Sequence, residues 1–358
     1  MQVIRRMFPG GNTSQGLYSL HDNIISNQRN RLYILKGMPG GGKSSLMKAI
    51  AERMFDKGYS IEYHHCPSDP GSIDAVVIDG IGVAIIDGTP PHTIDPLYPG
   101  LSDRIVDLAV SIDTDKLKKE EEAIRATKLK NKYAYEKCFN YFKAANIIAE
   151  QIDKENARTL DIRGLNNQSR KVIEIIFSKL PIPKKSNGFK QRDLFSSAYT
   201  PEGFTDYTYT ILKWVEDVFF IKGDMGTGKS YLLNRILEEA RLRNFEMEIY
   251  HNPMFPKKIE TIYIKELDSV ITSNELGSKF AKEEIDLNSY ISNRKTNEDD
   301  INALNLLIEG GIKNLREAKE NHKALERSYR SSIDYTLIDR EREKIYNEIL
   351  NLIKQGQI

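Results

Sequence analysis

One arrangement of apolar and polar positions occurs twice along the chain. Residues 32–35 (LYIL) and 218–221 (VFFI) are short apolar runs, which are typical of strands buried in a parallel sheet. A glycine-rich loop follows each run, and beyond it apolar residues recur at helical spacing. Those residues are Leu46, Met47, Ile50, Met54 and Phe55 in the first copy and Leu232, Leu233, Ile236, Leu237 and Ala240 in the second. The pattern predicts strand, loop and helix twice, and therefore an α/β fold in which helices flank parallel sheets.

The two copies are related by one constant offset. Gly37 and Gly223 are 186 residues apart, and the same offset holds without a gap through the following helix and strand. It pairs Leu46 with Leu232, Ile50 with Ile236, Glu62 with Glu248, His65 with His251, Pro67 with Pro253 and Ile73 with Ile259. A gap-free repeat across loop, helix and strand indicates an internal duplication. We therefore predict two modules, residues 1–187 and 188–358.

A long helical tract follows each copy. Residues at helical spacing form one apolar stripe per tract, namely Tyr135, Cys138, Phe142, Ala145, Ala149 and Ile152 in the first and Ile312, Leu315, Ala318, His322, Leu325 and Tyr329 in the second. We expect each module to carry a helical-hairpin extension, over about residues 101–180 and 290–358. Residues 181–188 (PIPKKSNG) are rich in turn formers and are the predicted linker.

The composition limits which cellular compartment and which classes of binding partner are expected. The 52 Lys and Arg residues nearly balance the 51 Asp and Glu residues, so the chain carries no clear nucleic-acid signal and no polybasic membrane anchor. Cys66 and Cys138 are the only cysteines, which suits a reducing compartment rather than a disulfide framework. Residues 1–10 lack the apolar core of a secretory signal, and residues 75–86 are too short to span a bilayer. We expect a cytoplasmic protein without membrane contacts.

Both glycine loops match the pattern G-x-x-x-x-G-K-S, at residues 37–44 and 223–230. Glycines allow the backbone to curl so that successive N–H groups point into one concavity, which lies at a helix N-terminus that favours phosphate. In such a loop the lysine reaches the β- and γ-phosphates and the serine hydroxyl binds Mg²⁺. The predicted ATP-binding residues are Gly37, Pro39, Gly40, Gly41, Gly42, Lys43, Ser44 and Ser45, with Gly223, Gly226, Thr227, Gly228, Lys229, Ser230 and Tyr231 in the second loop.

A carboxylate that supports the Mg²⁺ ion is predicted for the first copy only. Residues 83–87 (VAIID) form an apolar strand that ends in Asp87, and the ends of parallel strands meet at the nucleotide edge of such a sheet. Lys43 and Asp87 are therefore the candidate catalytic residues, and Ser44, Asp87 and Ser230 the candidate metal ligands. The position equivalent to Asp87 is Ser273. The second site is therefore expected to bind nucleotide without efficient turnover.

Several other polar residues admit two interpretations. His65 and His251 fall where a strand should end, so they either cap that strand or lie near the γ-phosphate. Glu62 and His65 are the nearest candidates for a base that positions water. Residues 87–100 are rich in turn formers and have no counterpart in the second copy. They form either a functional loop of the first site or a plain connection.

The chain resembles a bacterial family of tandem P-loop ATPase-like proteins, known as hypothetical ATP-binding proteins. The resemblance spans nearly the whole chain and is carried by residues 35–44, 65–66, 68–70, 87–92 and 98–100, and by Ala318, Lys319, His322, Leu325 and Glu326. It implies two P-loop NTPase domains and ATP binding, but no substrate. Met38 and Gly41 depart from the commoner Gly and Thr of the loop. The resemblance and the missing N-K-x-D motif favour ATP over GTP.

Three functions are consistent with these features. The leading hypothesis is an ATPase or ATP-driven switch with an active first site and a degenerate second site. The alternatives are a small-molecule kinase whose inserted helices form a lid, and a nucleotide-gated interaction protein whose helical extensions contact a protein partner without hydrolysis. The duplication also suggests that the two modules face each other as a pseudo-dimer, each completing the other's site.

Overall fold

The computed structural model describes residues 2–182, 186, 188–292 and 298–356. We call residues 1–187 the first half and residues 188–358 the second half. The first half contains β1 (Ile4–Met7), β2 (Gly10–Thr13), β3 (Gly16–Ser19), β4 (Arg31–Lys36), α1 (Lys43–Asp56), β5 (Ile61–Cys66), β6 (Asp69–Ile78), β7 (Val83–Asp87), β8 (Asp103–Asp107), α2 (Thr114–Lys118), α3 (Glu121–Ala157) and α4 (Ile162–Ile176). The second half contains β9 (Gln191–Leu194), β10 (Ser197–Thr200), β11 (Gly203–Asp206), α5 (Tyr209–Leu212), β12 (Asp217–Lys222), α6 (Lys229–Leu242), β13 (Met247–His251), β14 (Ile259–Ile264), β15 (Ser269–Thr272), β16 (Glu283–Asp286), α7 (Glu298–Arg330) and α8 (Tyr335–Lys354).

The two halves share one sheet topology. Each half has a six-stranded sheet, in the order β1-β5-β6-β7-β4-β8 and, in the equivalent direction, β9-β13-β14-β15-β12-β16. Strand for strand the orders correspond, and α1 and α6 follow the equivalent strands β4 and β12. The predicted duplication and the α/β fold with flanking helices are therefore confirmed.

The sheets are mixed, so the prediction that they are parallel was wrong in part. Strands β7, β4 and β8 run parallel, whereas β6 is antiparallel to both β5 and β7. Only the residues between Cys66 and Asp69 connect β5 to β6. A connection this short makes a hairpin, because a parallel neighbour requires a crossover of a dozen residues or more.

Two equivalent phenylalanines, Phe8 and Phe195, link the two halves through an antiparallel bridge. The amide of Phe8 donates to the carbonyl oxygen of Phe195 at 2.8 Å, and the amide of Phe195 donates back to Phe8 at 3.0 Å. Beside this pair, Arg5 and Arg192 each form ion pairs with both Glu62 and Glu248. Both glutamates are buried. A buried ionic cluster therefore joins the two sheets.

The last helix of each half packs on the core of the other half. Helix α8 contributes Ile338, Ile345, Tyr346 and Ile349 to the apolar core formed by α1 and the first sheet. Helix α4 contributes Leu165, Val172 and Ile176 to the core formed by α6 and the second sheet. We call α4 and α8 the exchanged helices.

The two long helices α3 and α7, which precede the exchanged helices in the chain, lie side by side and antiparallel. Cys138 and Phe142 of α3 pack with Leu315 of α7, and further along α3 Ile152 packs with Leu304 of α7. The predicted apolar stripes therefore contact each other across the two halves. The prediction of a separate helical hairpin within each half was therefore wrong.

None of the helices formed by the described residues combines the length and the apolar character needed to cross a lipid bilayer. Of the predicted linker, residues 183–185 and 187 lie outside the described residues.

Candidate functional site

The first glycine loop, residues 37–44, connects β4 to α1. Gly40 and Gly42 have φ values of 72° and 73°, in the left-handed region that favours glycine. Gly42 is the residue before α1, and no side chain caps that helix end. The first amides of the 14-residue helix α1 therefore depend on a partner from outside the helix, and its dipole favours an anion there.

Lys43 and Asp87 meet beside this loop, as the sequence predicts. The Nζ of Lys43 lies 3.6 Å from Oδ2 of Asp87 and donates to the carbonyl oxygen of Met38 at 3.0 Å. Asp87 ends β7, which pairs in parallel with β4. Its Oδ1 accepts from the amide of Thr89 at 3.0 Å. Burial raises the pKa of Asp87, and Lys43 opposes that shift.

Ser44 anchors the start of α1 to the sheet. Its hydroxyl oxygen accepts from the amide of Ile73 on β6 at 3.1 Å. The side chains that could bind an Mg²⁺ ion are thus the hydroxyl of Ser44 on α1 and the carboxylate of Asp87 at the end of β7. This donor set, with oxygen atoms only, fits Mg²⁺, which takes one or two carboxylates and fills its shell with water and phosphate.

The second glycine loop, residues 223–230, repeats the backbone geometry. Gly226 and Gly228 have φ values of 79° and 95°, and α6 begins at Lys229. The Nζ of Lys229 donates to the carbonyl oxygens of Gly223 and Asp224. Burial lowers the pKa of Lys229. The loop is therefore formed in both halves, and Ser230, Thr227 and Tyr231 lie in it or next to it.

The carboxylate of the first site is absent from the equivalent position of the second. Ser273 follows β15 there, and its hydroxyl donates to the carbonyl oxygen of Glu260 at 3.2 Å. A carboxylate therefore lies beside Lys43, whereas a serine occupies the equivalent position in the second half.

Sequence reasoning missed one acidic position that both halves share. Asp74 on β6 and Glu260 on β14 are 186 residues apart and both are buried. Asp74 contributes to the raised pKa of Asp87, and Glu260 lies close enough to Lys229 to affect its pKa. The signal was available, because each is a lone acid in an otherwise apolar run, DAVVI and ETIYI, at the repeat offset.

Each glycine loop also touches the other half. The hydroxyl of Tyr335 on α8 donates to the carbonyl oxygen of Gly40 at 3.0 Å, and a side chain at Gly40 would lie 3.3 Å from Cβ of Glu326 on α7. In the second loop, the side-chain nitrogen Nδ2 of Asn156 on α3 donates to the carbonyl oxygen of Met225 at 2.9 Å. Each glycine loop is therefore bordered by residues of the other half.

The candidate bases have structural partners instead. Glu62 pairs with Arg5 and Arg192 in the buried ionic cluster. His65 contacts the Pro70 carbonyl oxygen through Nδ1 at 2.8 Å and Arg6 through Nε2 at 2.9 Å. These contacts favour the strand-capping interpretation of His65 and remove Glu62 as a free base.

His251 likewise has a structural partner. It pairs with Asp193 of the neighbouring strand β9 at 2.8 Å. The strand-capping interpretation therefore holds for both equivalent histidines.

The turn-rich segment that follows Asp87 is attached to the strand that leads into the first loop. Lys36, at the end of β4, donates to the carbonyl oxygens of Gly88 and Ile94, both at 2.7 Å. Asp103 accepts from the amides of Leu97 and Tyr98. The segment therefore borders the first site, with no equivalent in the second.

Comparisons of the chain with protein-family models, with curated proteins and with solved structures found no match in any of the three.

Proposed function

We propose that this chain is an ATP-binding P-loop protein that hydrolyses ATP at the first loop and binds nucleotide without efficient turnover at the second. The observation that carries the proposal is the meeting of Lys43 and Asp87, 3.6 Å apart, beside a glycine loop that opens α1. A lysine, a carboxylate and an uncapped helix N-terminus together suit a triphosphate and its metal ion.

The role of each residue follows from its position. The loop amides and the first turn of α1 would hold the phosphates, and Lys43 would exchange its bond to Met38 for a phosphate oxygen. Ser44 and Asp87 would hold Mg²⁺, which supplies charge neutralisation for the transferred phosphoryl group when it is bound. Asp87 is kept in place by Thr89, so it is oriented before nucleotide arrives.

The second loop supports binding more than turnover. Lys229 and the glycine geometry are retained, whereas Ser273 replaces the carboxylate. A serine hydroxyl carries no charge and binds Mg²⁺ more weakly than a carboxylate does. We therefore assign a regulatory role to the second site.

One observation favours a second candidate, a nucleotide-gated switch. The tips of both loops contact helices of the other half, through Gly40 and Tyr335 and through Met225 and Asn156. A nucleotide that reshapes a loop would shift the contacts of the opposite helix. Such a protein needs tight ATP binding, but little or no hydrolysis.

Phosphate release from ATP and from GTP, together with calorimetric nucleotide binding, separates these candidates. Lys43→Ala should lower turnover by about 100-fold or more, because it removes charge stabilisation from the transition state. Lys229→Ala should keep most of the turnover. Lys57→Ala, at the exposed end of α1, is the matched control and should behave like the wild type. Wild-type protein that binds ATP tightly and releases no phosphate would overturn the ATPase in favour of the switch.

A further inference from the structure

Two histidines and an aspartate converge next to the first site without taking part in it. His21 follows β3, Asp74 lies on β6, and His92 lies in the segment that follows Asp87. One donor atom from each residue lies within 4.8 Å of the others. The Nε2 atoms of His21 and His92 lie 3.7 Å and 3.9 Å from Oδ2 of Asp74. The cluster thus draws three separate chain segments together.

Two of the converging atoms are buried without a hydrogen bond. His21 is 4% exposed and Asp74 is 7% exposed. Neither Nε2 of His21 nor Oδ2 of Asp74 has a hydrogen-bond partner among the described residues. A buried polar atom without a partner costs roughly 1–3 kcal/mol, so the two atoms together indicate a group that is bound between them.

We propose that His21, Asp74 and His92 bind a transition-metal ion of the Zn²⁺ class. Imidazole nitrogens and one carboxylate oxygen are the donor set that such ions prefer, and a fourth position is left for water. Ligand atoms around a tetrahedral Zn²⁺ are about 3.3 Å apart. The two histidine-to-aspartate spacings of 3.7 Å and 3.9 Å exceed this by about 0.4 Å and 0.6 Å, and all three donor atoms lie within 4.8 Å of one another, so the side chains would have to draw together around the ion.

The surroundings of His21 suit this role. The hydroxyl of Ser19 lies 2.9 Å from Nδ1 of His21, a contact that leaves Nε2 for the ion and orients the ring, as outer partners of metal-bound histidines do.

Binding requires one ring to turn. The rings of His21 and His92 are stacked, with centroids 3.9 Å apart and planes 18° apart, and the lone pairs of parallel rings do not converge on one point. His92 is the freer of the two, because it lies in a loop and its side chain is 11% exposed, against 3% for that of His21. The ion would thus fix the loop that begins at Asp87.

The site is expected in the first half only. By the offset of 187 that relates Gly16 to Gly203, His21 corresponds to Thr208, and by the offset of 186 that relates the two glycine loops, Asp74 corresponds to Glu260. The segment that carries His92 has no counterpart in the second copy. One ion per chain is therefore expected.

The test uses the full chain, stripped of metal with a chelator and titrated with Zn²⁺ by calorimetry in the absence of nucleotide and Mg²⁺. Co²⁺ is titrated in parallel, because its visible absorption bands report nitrogen ligands. We expect one ion per wild-type chain and at least about 100-fold weaker binding in His92→Ala and Asp74→Asn, since loss of a ligand exceeds loss of an outer partner. His322→Ala, on the half-exposed face of α7, is the matched histidine control.

Asp87→Asn separates this site from the magnesium site and should retain the Zn²⁺ ion. His92→Ala changes only a loop residue, so its metal-free melting temperature should match that of the wild type. Zn²⁺ should raise the melting temperature of the wild type and leave that of His92→Ala unchanged. The proposal is overturned if the wild type binds no Zn²⁺, if His92→Ala binds it as tightly, or if Asp87→Asn alone loses it.

Discussion

The hydroxyl of Tyr335 donates a 3.0 Å hydrogen bond to the carbonyl oxygen of Gly40, although the two residues are 295 positions apart in the chain. Gly40 lies at the tip of the first loop, and Tyr335 is the first residue of the exchanged helix α8. Because a carbonyl and the next amide share one peptide plane and point in opposite directions, this bond acts together with the one that the amide of Gly41 donates to the carbonyl oxygen of Met38 at 3.2 Å, and the two hold that peptide in place. A residue of the second half thereby orients the loop of the first.

Tyr335→Phe should therefore weaken nucleotide binding at the first loop. The lost hydrogen bond is partly exposed and should be worth under about 1 kcal/mol, so we expect an affinity loss of about two- to fivefold. Calorimetry with ATP, in a Lys229→Ala background that leaves only the first loop, measures it.

Tyr231→Phe in the same background is the matched control. It removes the bond from Tyr231 to Asn166 beside the second loop, so first-loop affinity should stay as it was. An unchanged affinity in Tyr335→Phe would contradict the orienting role of that bond.

Gly311→Ala should destabilise the protein, although alanine is the better helix former. At a solvent-exposed position inside a helix, this substitution stabilises the folded protein by about 1 kcal/mol. Here the added methyl group would overlap the ring of Phe142 on α3, so the long helices would have to separate. We expect a loss of about 1–3 kcal/mol, as for other overpacked sites, measured as the free energy of unfolding in denaturant.

A double-mutant cycle isolates that contact. Phe142→Leu makes room for the methyl group, so Gly311→Ala should cost less in that background than in the wild type. Equal costs in the two backgrounds would mean that α3 and α7 do not approach at this point.

Sequence patterns predicted the parts of the fold that depend on local spacing. Strand, loop and helix around Lys43 follow from periodicity, and the approach of Asp87 follows because the ends of parallel strands meet at one edge. The antiparallel orientation of β6 could not be predicted, since an apolar run has the same sequence pattern in a parallel strand as in an antiparallel one.

Sequence patterns did not predict what the long helices pack against. The stripe that contains Phe142 shows which face of α3 is buried, but a stripe carries no information about its partner. The meeting of His21, Asp74 and His92 was missed for a related reason, because three segments distant in sequence converge only once the sheet has formed.

Glu260 should make stability depend on pH. Burial raises its pKa to about 7, above the ordinary glutamate value of about 4.5 that it has in the unfolded chain. Between these values the folded protein holds a proton that the unfolded chain has released, so stability falls as pH rises from about 4.5 to 7. At about 1.4 kcal/mol per pH unit the fall is at most about 3 kcal/mol.

Glu260→Gln removes this dependence. Its free energy of unfolding relative to the wild type should rise between pH 4.5 and pH 8 by up to about 3 kcal/mol, measured by denaturant titration at each pH. Glu284→Gln, at an exposed position of β16, should show a much smaller change. A parallel pH profile for Glu260→Gln and the wild type would show that Glu260 is ionised throughout.

The exchanged helices lead to a prediction about the separate halves. Helix α8 buries four apolar side chains, Ile338, Ile345, Tyr346 and Ile349, in the core of the first half. At roughly 1.5–3 kcal/mol each, they contribute about 6–12 kcal/mol, which is comparable to the whole stability of a typical domain. Residues 1–187 alone should therefore not form a stable monomer.

Its own helix α4 cannot easily replace α8 within one chain. Helix α3 has 37 residues and is about 55 Å long, so it carries α4 away from the half to which it belongs. We expect residues 1–187 to be unfolded or to pair with a second copy, and residues 188–358 to behave in the same way. Mixing the two fragments should restore a 1:1 complex with the circular dichroism of the intact chain, measured after size-exclusion chromatography. A monomeric first half that unfolds cooperatively with the stability of the intact protein would show that α8 is dispensable to that core, and the exchange would then be a feature of assembly rather than of stability.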